Sequence, residues 1–126
     1  MPYEIRYLPV ENLVVARIEG ELTLENVKQL HLGLSGEMEK YGLKGCLLEM
    51  MDVGNGLDTV GIYEIPRFYD SVGTDKSAMV AVVAGEENIK KEDILFYETV
   101  CRNRGYNIRV FTDRNSAVKW LRKEQS

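Results

Sequence analysis

The side chains able to do chemistry are few and widely spaced. One histidine, His31, and two cysteines, Cys46 and Cys101, are the only imidazole and thiols in the chain. A thiol beside an imidazole is the core of a nucleophilic site, but such a pair also needs a third group to orient the base. No spacing here supplies that group. The residues read instead as a half-buried helix histidine and two inert core thiols. Carboxylates offer a second chemistry. Asp52, Glu86, Glu87 and Asp113 each follow a segment that reads as a strand. In an open parallel sheet the carboxyl ends of the strands form the rim where ligands bind. Four carboxylates on one rim could hold a hard cation through oxygen, although such residues more commonly cap helices and loops, so no metal and no cofactor is assigned. Asn55, Asp58, Thr59 and Thr112 fall on the same rim and join Asp52 and Asp113 as candidates for a regulatory contact. Gly54-Asn55-Gly56 has the flavour of a phosphate cradle but fits neither the dinucleotide fingerprint nor the P-loop.

A third cluster is apolar. Ile62, Tyr63, Phe68 and Tyr69 surround Pro66. A proline-broken, aromatic-rich segment against a sheet can wall an apolar pocket, which makes Ile62, Tyr63, Pro66, Phe68 and Tyr69 the candidate ligand-binding residues. Core packing at a kink is the commoner fate of such aromatics.

The elements that would position these groups follow from periodicity. Tyr3 to Leu8 alternates apolar with charged residues, the period of a half-buried strand, and Leu13 to Glu19 follows after so short a connection that the two must form an antiparallel hairpin. Thr23 then caps a helix with Leu24, Val27, Leu30, Leu34, Met38 and Tyr41 at helical spacing, and Gly42 ends it. Gly45 to Met51 and Ala78 to Ala84 read as buried strands. Between them, Asp58 or Thr59 opens a helical segment that interior Pro66 should kink or split in two. A helix from about Glu92 to Asn103, a strand Asn107 to Phe111 and a final helix capped by Thr112 or Asp113 complete the chain. The prediction is an α/β fold: an N-terminal β-hairpin, then alternating β-α units, with a mostly parallel five-stranded sheet. Length, 126 residues, suits one domain spanning 1–126. Glu4, Arg6, Arg17, Glu49 and Arg109 lie inside strands, so one sheet face should be partly wet and the helices mainly on the other. Such an open face, with Leu13, Val15, Leu47, Met51 and Phe111 among the charges, suits self-association.

Composition narrows the partners. A net charge of -4 argues against a nucleic-acid partner, and no apolar run is long enough to span a membrane, which leaves only peripheral membrane contact open. The absence of an apolar leader and the sparse cysteines point to a cytoplasmic protein. Charge is segregated: residues 101–126 carry seven basic groups against two acidic ones, while the rest of the chain is acidic. A basic C-terminal helix beside an acidic body could steer an anionic partner or a second copy.

The order of elements, the lead-in Gly20-Glu21-Leu22-Thr23-Leu24-Glu25-Asn26 and the closing Val110-Phe111-Thr112-Asp113 with Ala117 and Trp120-Leu121 resemble the SpoIIAA-like group, allied to the STAS domain of anti-sigma-factor antagonists. The antagonists' phosphorylated serine lies in an Asp-Ser-Ser-Gly stretch, whose best match is Asp58-Thr59-Val60-Gly61. The phosphate-accepting position falls on Val60, which has no hydroxyl; Thr59 is the adjacent one. The resemblance thus implies the fold more than the phosphorylation switch. It makes a non-enzymatic regulatory or protein-interaction module, working as a homodimer, the leading reading. The group's likeness to the lipid-binding Sec14 fold brings forward a second: a carrier of a small apolar ligand or lipid, with its pocket under the Ile62 to Val72 segment.

Overall fold

In the computed structural model, which describes residues 2–53, 57–88 and 90–125, the sheet runs in chain order. β1 (Tyr3–Leu8) and β2 (Leu13–Gly20) form the expected antiparallel hairpin. At its turn Asn12 takes a left-handed φ of 55°, and its side-chain oxygen accepts from the Tyr7 hydroxyl at 2.7 Å. β3 (Gly45–Val53), β4 (Met79–Val83) and β5 (Asn107–Phe111) then add in parallel, giving the order β1-β2-β3-β4-β5. Each parallel step is a crossover through a helix.

The helix ends follow local chemistry. α1 (Leu24–Tyr41) starts where the Thr23 hydroxyl accepts from the Asn26 amide, and stops at Gly42, whose φ of 65° a side chain would resist. α2 (Thr59–Ser71) is capped by Asp58, which accepts from the Gly61 amide at 2.8 Å. α3 spans Lys91–Asn103, and α4 (Arg114–Gln125) begins after Asp113, which accepts from the Ser116 amide at 2.8 Å. Of the two outcomes expected at Pro66, a kinked helix or two short ones, the split does not occur. The helix runs through it as one element. Proline forgoes the hydrogen bond its absent N–H would make and crowds the carbonyl four residues back, both local costs. Burial of Ile62, Ile65, Pro66 and Tyr69 along one face holds the turns on either side.

Three helices, α1 to α3, cover one face of the sheet, over a core that includes Val14, Ala16, Ile18, Cys46, Leu48 and Ile108. α1 comes close to β1 at Gly33, where a Cβ would sit 2.7 Å from the Ile5 Cδ1. The glycine that weakens the helix is what lets it approach the strand. α4 takes the other face, and this changes the expected open surface. Leu13, Val15 and Leu47 lie buried with Met79, Ala81, Ala117 and Leu121 beneath it, and the Phe111 ring packs against Trp120 at 5.7 Å. What stays wet is charged. Glu4, Arg17 and Glu49 are cross-strand neighbours and alternate in sign, an arrangement that favours register.

The basic C-terminal segment also folds back on its own chain. Arg114 pairs with Glu11 at 3.1 Å and reaches Glu49 at 3.6 Å, Arg122 donates to the Glu11 carbonyl, and Arg104 pairs with Asp70 at 3.0 Å. The Arg109 guanidinium lies 6.0 Å from the centre of the Trp120 ring.

If α4 is docked through its apolar face, Leu121→Ala, at a fully buried position, should destabilise the protein by about 2–5 kcal/mol. Urea unfolding measures it; a loss under about 1 kcal/mol would show that α4 does not seal the second face.

Candidate functional site

The first sheet face and its helices do not close on each other. Between them lies an apolar cavity of about 550 Å³. One wall is the inward stripe of α1: Val27, Leu30, Leu34 and Met38, at helical spacing. The floor is every second residue of the central strands, Ile18, Cys46, Leu48, Val80 and Val82, because strand side chains alternate between faces. α2 contributes Ile62, Ile65 and Tyr69, and α3 contributes Ile94 and Tyr97. Volumes of roughly 300–1,000 Å³ are usual for small-molecule sites. At one end Leu32 and Val72, both substantially exposed, flank the cavity with Ser35, Glu39, Lys44 and Asp75.

Between its ends, the cavity's polar groups are hydroxyls and one imidazole. The Tyr69 and Tyr97 hydroxyls lie 2.9 Å apart. The His31 ring stacks on Tyr69 with centroids 4.1 Å apart, and its Nε2 is 2.7 Å from the Thr74 Oγ1. Tyr106 meets the Tyr69 ring edge-on and donates to Asp70. Burial lowers the pKa of His31 to about 4 and pushes both Cys46 and Cys101 up to about 12. It also raises both Tyr69 and Tyr97 above the ordinary phenol value. At neutral pH the imidazole is therefore uncharged and the thiols protonated, whereas a thiolate is the form that attacks.

The sequence-derived candidates divide. Ile62 and Tyr69 line the cavity. Pro66 is buried but does not reach it, so the space lies under α1 as much as under the proline. Phe68 packs edge-on to the His31 ring, with the Lys28 ammonium 5.4 Å from its centre, and Tyr63 is exposed and edge-on to Phe96. On the rim, Asp58 and Asp113 serve as helix caps, and Asp52, Thr59 and Thr112 are exposed. Asn55 lies outside the described residues. Among the described residues no three His, Cys, Asp or Glu side chains gather where they could hold a metal ion, and no helix is long and apolar enough to cross a membrane. Sequence reasoning missed Tyr97. The available signal was a tyrosine on the same helical face as Ile94 and Cys101, since a phenol on an apolar face needs a partner for its hydroxyl.

His31 gives the cavity a pH signature. The folded state holds it neutral down to about pH 4, while an unfolded histidine takes a proton below about 6.5. Its contribution to stability is therefore complete above that value and is lost as the pH falls toward 4. Urea unfolding across this window should show the wild type losing more stability than His31→Gln; equal losses would mean the imidazole is not buried.

No profile of a known family matches the chain, and no curated protein matches it. A solved structure is similar: an uncharacterized protein of the DUF3478 family with a SpoIIAA-like fold, from Shewanella loihica PV-4. The two are 18% identical with a TM-score of 0.57, and the match covers 94% of this chain and 91% of that chain. At that identity the likeness concerns the path of the backbone and not the side chains of any site. The hairpin, the alternating β-α units and the five-stranded sheet in chain order give this protein a SpoIIAA-like α/β fold.

Proposed function

We propose that the protein binds a small apolar molecule in the cavity between α1, α2, α3 and the sheet. The observation that carries this is an apolar space of about 550 Å³ lined by side chains from the sheet and all three helices. An apolar cavity of only about 150 Å³ already stays dry and takes benzene. The driving force is ordinary transfer: about 0.8 kcal/mol per buried methylene, or ~8 kcal/mol for a chain of about ten, before the losses of association. The exposed Leu32 and Val72 at one end offer an apolar entrance.

This reading moves ahead of a homodimeric interaction module because of α4. The apolar residues that would have made the second sheet face adhesive, Leu13, Val15 and Leu47, are covered by that helix. The face that remains is largely charged and well hydrated.

Native mass spectrometry of protein purified without detergent should show a bound species that denaturation releases. Leu34→Phe, which adds volume at the cavity wall, should lower the affinity for apolar ligands at least about tenfold while leaving a cooperative unfolding transition. Finding only the bare protein mass, with no thermal shift across a panel of fatty acids and isoprenoids, would overturn the reading.

A further inference from the structure

The cavity wall carries more hydrogen-bonding capacity than the protein uses. Tyr69 from α2 and Tyr97 from α3 both line it, with their hydroxyls 2.9 Å apart. The two hydroxyls hold two protons but make one bond with each other. Whichever way that bond runs, one proton is left to donate. When Tyr97 donates to Tyr69, the spare proton is the Tyr69 O–H, on a side chain that lines the cavity. A phenol proton facing apolar walls is a strong donor lacking an acceptor, and an oxygen on a bound molecule would supply one.

The charges are placed quite differently. The ionisable side chains that line the cavity and carry charge at neutral pH are Glu39, Lys44 and Asp75 near one end and Lys90 and Asp93 near the other. Three are acidic and two basic, and Lys90 sits 4.0 Å from Asp93. His31, stacked on Tyr69, is neutral there and already faces the Thr74 hydroxyl. A carboxylate brought to the tyrosine pair would therefore lose its hydration without meeting a cation, which is the arrangement that penalises a buried charge most.

We propose that the occupant is an uncharged molecule, an apolar chain bearing one oxygen function such as a ketone, ester or alcohol, whose oxygen docks on Tyr69 and Tyr97. The site selects against the ionised carboxylate of the same chain. This rests on the ligand-binding reading above and adds the chemistry of the head group.

The test is a set of NMR titrations of the full chain at neutral pH with octane, 1-octanol, 2-octanone and octanoate, repeated on Tyr69→Phe and Tyr97→Phe. Losing the hydroxyls should weaken 2-octanone and 1-octanol by roughly three- to tenfold and leave octane unweakened, while octanoate binds the wild type more weakly than 2-octanone does. Each single variant removes one oxygen and keeps the ring, so a cross-peak pattern like the wild type's confirms its fold, and either variant suffices if the other fails to fold. If octane binds but neither variant weakens the ketone, or if octanoate binds as tightly as the ketone, this proposal falls and the cavity reading stands. If none of the four binds, both fall.

Discussion

The molecule is governed by an apolar layer that three helices cover but do not fill. Protein interiors are packed as densely as organic crystals, and voids larger than a water molecule are few. The sheet offers Ile18, Cys46, Leu48, Val80 and Val82 to the space, and α1 faces them across it with Val27, Leu30 and Leu34. Tyr69 and Tyr97, joined at their hydroxyls, brace α2 against α3.

Much of the architecture was legible in the sequence because its elements announce themselves locally. The hairpin follows from alternation in Tyr3 to Leu8 and a short connection, α1 from Thr23 and Gly42 at its ends, and β4 from an uninterrupted apolar run. Two features were not legible. At Pro66 the sequence left open a kinked helix or two short ones, and the choice was made by the burial of a whole helical face. The position of α4 is a matter of topology: a C-terminal helix after the last parallel strand can cross to either face, and its own sequence, apolar on one side only, is the same in both cases. The interior charges in the strands were correctly read as a wet surface, yet they occupy only the part of the face that α4 leaves uncovered.

The cavity was harder to read, for a physical reason. An apolar stripe on α1 looks the same whether it fills space or borders it, because period and hydrophobicity record which face is inward and not how far away the opposite wall lies. Ile62 and Tyr69 were found through the chemistry around Pro66. Leu30, Leu34 and Met38 were assigned to the core by the same pattern that puts them on the cavity wall. Volume is a sum over side chains from many elements, and no single stretch of sequence contains it.

Charge shows the opposite relation between sequence and structure. Along the chain the acidic body and basic C-terminal segment looked like two surfaces awaiting a partner. In three dimensions they meet in part, since Arg114 bridges Glu11 and Glu49 across from the hairpin turn to β3, and Arg104 meets Asp70 at the end of α2. Individually such exposed pairs contribute about 0–1 kcal/mol, so they do not hold the fold together. They do something else: the Arg114 pairs fasten α4 to the hairpin turn and β3 on the side away from the cavity, and the Arg104 pair ties the end of α3 to α2. The second face is thereby sealed by an apolar helix and electrostatically satisfied around its edge, and the unfilled space on the first face is left as the place where binding another molecule would gain most.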